Sequence, residues 1–209
     1  MKTSRYPLRA RTAVVVAACC CALAATSSAI AQTAPVVTGE AAIAPDALAG
    51  IKGVVSVNEA AGLSNAQSNQ AAIVSAPNGI ADTGVAQSAR ASAFVPSARA
   101  SIESGALANV SGMTMVNQAA GAANLQRNSV VLGAAATGVE SVADSVLSAA
   151  SPKQGRVDVS AMAQGERAVR IGNDVLKNAS GIAQINQTAG AGNTTANSFV
   201  LRPPAGTFF

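Results

Sequence analysis

One pattern is written three times in this chain, and its spacing constrains the fold more than any other feature. "GVVSVNEAAGLSNAQSNQAAI" begins at Gly53, "GMTMVNQAAGAANLQRNSVVL" at Gly112 and "GIAQINQTAGAGNTTANSFVL" at Gly181. Six offsets from the first Gly hold the same residue in every copy: Gly at 0, Asn at +5, Ala at +8, Gly at +9, Asn at +12 and Asn at +16. Apolar residues recur at +1, +4 and +20. The copies start 59 and 69 residues apart, so they do not form a tandem array. Similarity continues upstream in "DALAGIKG", "GALANVSG" and "DVLKNASG", where Leu48, Leu107 and Leu176 precede the first Gly by five residues. The repeat units are therefore 46–74, 105–132 and 174–201. Around them lie an N-terminal segment (32–45), two linkers (75–104 and 133–173) rich in Pro, Gly and Ser punctuation, and a tail (202–209). Within the second linker, "GVESVADSVLSAA" has the apolar spacing of a short helix.

Helix and strand compete for the repeats. The offsets +5, +8, +9, +12 and +16 also share one face of a helix. Against that, every copy carries a Gly at its centre, which costs about 1 kcal/mol relative to Ala in mid-helix. The heptad spacing is also never sustained over the three or four heptads that a coiled coil needs. A strand reading accounts for more of the residues. Gly-x-x-Asn, at Gly62–Asn65, Gly121–Asn124 and Gly190–Asn193, reads as a turn, because both residue types tolerate positive φ. It divides each unit into two arms. The apolar +4 residue (Val57, Val116, Ile185) and the +5 Asn (Asn58, Asn117, Asn186) then face opposite sides of the first arm. In the second arm Asn65 and Asn69, Asn124 and Asn128, and Asn193 and Asn197 share one side. Gln67, Gln126 or Thr195 stands between them.

Amides placed this way suit stacking. Strands lying about 4.7–4.8 Å apart let each Asn donate to one neighbour and accept from the other. The expected fold is all-β: three imperfect strand-turn-strand repeats stacked as a β-solenoid or cross-β array. Irregular linkers and a cleaved N-terminal signal helix complete it. The nine asparagines named above would form the ladders, Gly62, Gly121 and Gly190 the turns. The outermost repeats would leave open strand edges, which recruit further chains.

The N-terminus reads as a secretory signal. Lys2, Arg5, Arg9 and Arg11 precede the apolar run Ala13–Ala25, and Ala29 and Ala31 supply the small residues of a cleavage site before Gln32. Val16–Cys19 loosely fits a lipobox, but the residues after Cys19 are not a polar tether. Removing residues 1–31 takes with it all three cysteines and four of the fourteen basic residues. The ten cations that remain balance ten acids, so the basic pI belongs to the leader and gives no argument for nucleic acid. Low net charge removes the self-repulsion that keeps proteins apart. The mature segment has no Trp, no Tyr, and Phe only at 94, 199, 208 and 209. Its apolar content is largely Ala, which buries little area at about 25 cal/mol per Å². As a lone globule such a chain is under-stabilised against backbone entropy.

These repeats, "VNQAAGAANLQRN" above all, resemble those of Fap-type functional amyloid subunits, and their grammar is similar to that of curlin. The resemblance implies export through the outer membrane, polymerisation outside the cell, and a part in biofilm matrix or adhesion. Its implied partners are further copies of the same chain, a nucleator subunit, a periplasmic chaperone and an outer-membrane secretion pore. A Cys-x-x-Cys near the C-terminus, usual in the Fap fibre subunit, is missing here. A second reading is a secreted non-amyloid adhesin or envelope protein with a helical or solenoid repeat stalk.

Catalytic chemistry has little to stand on. Without His, and without Cys beyond the leader, the common general base, the usual zinc ligands and the His-dependent nucleophile arrangements are missing. The carboxylates are scattered, and Glu59 is replaced by Gln118 and Gln187 in the other copies. No phosphate-binding loop or basic run appears. No enzyme, cofactor, metal, nucleic-acid or small-molecule site is expected. The tail "RPPAGTFF" ends the last strand with its prolines. Its terminal Phe pair either packs on the final repeat or serves as a signal to an export factor.

Overall fold

A computed structural model describes residues 34–74, 83, 87–91, 93–133 and 165–201. The signal segment with Ala29 and Ala31, the short helix expected in linker 2 and the C-terminal Phe pair lie outside these residues. Nine strands are present among the described residues. They form three rungs: β1 (Val36–Ile43), β2 (Lys52–Leu63) and β3 (Ala66–Val74); β4 (Phe94–Ile102), β5 (Ser111–Ala122) and β6 (Leu125–Gly133); β7 (Glu166–Ile171), β8 (Ser180–Ala191) and β9 (Thr194–Leu201). The chain is all-β in this region, and every strand pairs in parallel with its counterpart in the next rung.

The sequence repeat is the stacking register. Gly53 pairs with Gly112 and Gly112 with Gly181, Asn58 with Asn117 and Asn117 with Asn186, without a slip along the whole of β2, β5 and β8. The second arm keeps the same register, Asn69 to Asn128 to Asn197. Each rung also holds one strand more than the two arms of the repeat. β1 falls in the N-terminal segment, and β4 and β7 fall in the two stretches that the sequence reads as linkers. Their sequences, "VVTGEAAI", "FVPSARASI" and "ERAVRI", share no obvious pattern. The alternate residues that pack inward are merely small or apolar in β1 (Gly39, Ala41, Ile43) and β4 (Ala98, Ala100, Ile102), and in β7 their counterparts are Arg167, Val169 and Ile171.

Three sheets result, in the orders β1-β4-β7, β2-β5-β8 and β3-β6-β9. The middle sheet packs against both of the others. Alternation decides which side chain meets which neighbour. Val116, Ala120 and Ala122 face the first sheet, where they meet Ile43, Ile102, Ala98 and Ala100. Met113 and Met115 face the third sheet and meet Val130. Alanines along one interface let the sheets come close, so a low-volume composition serves layers although it would serve a globular core poorly.

Between the first and second strands of each rung, the chain turns through a corner with alternating left-handed residues. Positive φ occurs at Asp46, Leu48 and Gly50, at Gly105, Leu107 and Asn109, and at Asp174, Leu176 and Asn178. For a non-Gly residue that conformation costs roughly 1–2 kcal/mol. Alternation turns successive peptide planes towards the rungs on either side. The Leu107 N–H donates to Ala47 O (2.8 Å), while the Asn109 N–H donates to Lys177 O (2.7 Å). The strain is thus offset only when rungs are stacked. Leu107 is fully buried at the centre of the corner stack, with Leu48 and Leu176 packed against its cluster.

Candidate functional site

The asparagines of the repeats form three ladders running through the rungs. Asn117 donates through Nδ2 to Asn58 Oδ1 (3.0 Å), and Asn186 donates to Asn117 Oδ1 (2.9 Å). Across the interface with the third sheet, Asn128 donates to Asn69 Oδ1 (2.9 Å) and Asn197 to Asn128 Oδ1 (3.0 Å). The two ladders are cross-linked, because Asn117 Nδ2 also reaches Asn69 Oδ1 (2.9 Å) and Asn186 Nδ2 reaches Asn128 Oδ1 (3.0 Å). Backbone carbonyls take further N–H capacity: Asn128 donates to Val116 O (3.0 Å) and Asn186 to Arg127 O (2.9 Å). Polar groups that would be costly to bury singly are satisfied together.

The third ladder explains the Gly-x-x-Asn motif. Asn124 donates to Asn65 Oδ1 (2.9 Å), and Asn193 to Asn124 Oδ1 (2.8 Å). Two of these asparagines also reach the carbonyl of the motif Gly in the following rung: Asn65 Nδ2 to Gly121 O (3.2 Å) and Asn124 Nδ2 to Gly190 O (3.1 Å). Gly62, Gly121 and Gly190 have φ of 116°, 113° and 122°. The left-handed residue at the corner itself is the one before Asn, namely Ser64, Ala123 and Gly192, and not Asn. A methyl added at Gly62 would overlap the backbone of Gly121, and one added at Gly121 would lie 2.8 Å from the carbonyl carbon of Gly190. Glycine is required there because the neighbouring rung occupies the space.

A fourth ladder lies at +6, on the face towards the first sheet. Gln118 Nε2 donates to Glu59 Oε2 (2.8 Å) and to Ser101 O (2.8 Å), and Gln187 Nε2 donates to Gln118 Oε1 (2.7 Å). The exchange of Glu59 for Gln in the other copies was the available signal, since both are long side chains with a carbonyl-type acceptor. At +14, Gln67 donates to Gln126 Oε1 (2.7 Å) and Gln126 to Thr188 Oγ1 (3.2 Å). The apolar +4 residues lie together as well: Val116 is fully buried, and Val57 and Ile185 pack on its cluster.

Burial differs sharply by rung. Asn117, Gln118, Asn124, Gln126 and Asn128, all in rung 2, have no exposed surface. Their equivalents in rung 1 are partly or largely exposed, and exposed apolar residues such as Val54, Ile73, Val169 and Leu201 belong to rungs 1 and 3. Part of this difference comes from Thr83 and Gln87, which lie against β6. There Thr83 Oγ1 and Ser129 Oγ share a hydrogen bond of 2.7 Å, and Arg127 donates to Thr83 O. In rung 3, Gln184, Gln187, Thr194 and Thr195 each hold a buried side-chain oxygen without a hydrogen-bond partner among the described residues.

Parallel rungs, in unbroken register through the second and third sheets, joined by amide ladders and ending on strands unpaired among the described residues, define a stack with cross-β geometry. The chain matches the functional amyloid protein FapB/FapC family over residues 22–204, and it belongs to that family. It is therefore a component of functional amyloid fibres, in a family of structural subunits. No solved structure matches it.

Proposed function

We propose that this chain is a secreted fibre subunit that polymerises by adding its rungs, in register, to those of further copies, and that the fibre serves biofilm matrix or cell-surface adhesion. One observation carries the reading: rung 2 is buried and hydrogen-bonded on both sides, while rungs 1 and 3, which repeat its ladder residues, each lack a neighbour on one side among the described residues. Placing rung 1 of one copy on rung 3 of the next gives both the environment of rung 2. The asparagine ladders then run on from Asn186 to Asn58, from Asn193 to Asn65 and from Asn197 to Asn69. Head-to-tail addition of this kind does not close, and so makes a filament. The nucleator, chaperone and pore follow from the resemblance to Fap subunits, as does an extracellular or surface location.

Fibre diffraction from purified residues 32–209 tests the reading. Reflections near 4.7 Å along the fibre and about 10 Å across it are expected. A chain that remains monomeric, without such reflections, would remove the proposal and favour the adhesin stalk.

Gly53 tests the head-to-tail order. A methyl added at Gly112 would overlap Gly53 O, and one at Gly181 would overlap Gly112 O. At Gly53 itself a methyl meets nothing within 4 Å in the single chain, although its φ of 120° is unfavourable to Ala. In the proposed joint that methyl strikes Gly181 O of the preceding copy. Gly53→Ala is thus expected to leave the monomer's β-content in place and to slow seeded growth by at least about tenfold, roughly 1.4 kcal/mol at the joint. Wild-type growth would exclude this register.

A further inference from the structure

Arg167 stands at a position where the stack otherwise admits only the smallest residues. In the first sheet it pairs with Ala98, and Ala98 with Gly39. Ala98 is fully buried, and a methyl on Gly39 would lie 2.6 Å from Gly121 N. An Arg side chain has no room in that interior. In rung 3 it is exposed instead, and it runs beside Gly190, at the end of the stack.

The place it occupies is specific. The methyl direction at Gly62 points onto Gly121 O, and the direction at Gly121 points onto Gly190 O. Continued one step, the direction at Gly190 must point to the carbonyl of the incoming Gly62 in a head-to-tail joint. In the single chain that direction meets Arg167, whose Cδ and Nε both lie 3.0 Å from the methyl position. The third ladder points the same way. Asn65 and Asn124 reach the Gly carbonyl of the following rung, and Asn193 has its Nδ2 3.7 Å from the same methyl position. Two independent series, one steric and one of hydrogen bonds, converge on the space that Arg167 fills.

We propose that Arg167 is a gate on the rung-3 end: its side chain holds the seat of the next copy's Gly62 carbonyl and must leave before that copy can dock. The inference rests on the head-to-tail assembly proposed above. It gives the two ends of the filament different chemistry. The rung-1 end presents Gly53 with open space before it, whereas the rung-3 end is covered by a movable cation. Displacement towards solvent costs Arg167 its contacts over Gly190 but leaves its charge hydrated, so the gate delays docking without forbidding it.

Seeded elongation of the full mature chain tests this with Arg167→Ala, which restores the residue type found in rung 2, and with Arg90→Ala as a control of equal charge change at an exposed site. Arg167→Ala monomer should extend Arg167→Ala seeds roughly fivefold faster than wild-type monomer extends wild-type seeds, about 1 kcal/mol off the barrier to docking. Arg90→Ala monomer on Arg90→Ala seeds should match wild type. Arg167→Ala seeds that grow at the wild-type rate, or more slowly, while still giving cross-β reflections would overturn the gate and leave the assembly reading standing. Failure of the wild-type chain to form cross-β fibres at all would overturn both.

Discussion

Gly121→Ala should abolish fibre formation on the timescale at which the wild-type chain assembles. Gly121 has φ of 113°, a region that is essentially restricted to Gly and costs other residues on the order of 1–3 kcal/mol. The added methyl also falls 2.8 Å from the carbonyl carbon of Gly190, and nearer still to its oxygen. Neither atom can yield, because both belong to the backbone of β8 in the middle sheet. Relief requires rungs 2 and 3 to separate at this point, which also breaks the bond from Asn124 Nδ2 to Gly190 O. Gly50→Ala supplies the comparison. Gly50 has φ of 73°, but a methyl there meets nothing within 4 Å, so only the backbone term of roughly 1–2 kcal/mol applies. Thioflavin fluorescence and diffraction from both variants decide the matter. Assembly of Gly121→Ala at the Gly50→Ala rate would show that rung spacing tolerates a methyl and that close backbone approach does not control stacking.

How much of this was legible in the sequence depends on what each residue is used for. Ladder positions could be read because stacking in register demands the same side chain at the same offset: Asn58, Asn117 and Asn186 announce themselves by recurring. The +6 ladder was harder to see, since Glu59 and Gln118 differ in name although both present a carbonyl-type oxygen on a chain of equal length. Strands β1, β4 and β7 could not be read from recurrence at all. Their contribution to packing is made by small or apolar residues, Ala41 and Ala98 among them, that many sequences supply, and by backbone pairing that leaves no residue signature. The corners gave a partial signal. Leu48, Leu107 and Leu176 recur because a stack of leucines fills the corner interior, yet nothing in a Leu suggests a positive φ. That conformation follows from peptide planes turning to face neighbouring rungs, a demand that exists only once the rungs are stacked.

The recurring asparagines therefore bear the largest testable load after the glycines. Replacing Asn117, Asn124 and Asn128 together by Ala removes the central member of all three ladders, each of them fully buried. Asn58, Asn65 and Asn69 lose the donors above them, and Asn186, Asn193 and Asn197 lose the acceptors that receive their Nδ2 groups. Carbonyls lose their amide donors too, Val116 O and Gly190 O among them. Leaving a buried polar group unpaired costs about 1–3 kcal/mol, and Ala also leaves voids where the amides were. Several such losses in the rung that is already buried exceed what the remaining backbone ladder of a marginal chain can offset. Fibre formation should slow by at least about a hundredfold, the effect of 2.7 kcal/mol on a rate. The same number of Ala substitutions at Ser141, Ser145 and Ser148, which lie between the repeat units, should change the rate little. Equal rates for the two triple variants would mean that the amides are tolerated in the stack and do not drive it. The assembly would then have to be assigned to backbone pairing and to the apolar faces that meet at Val116 and Met115.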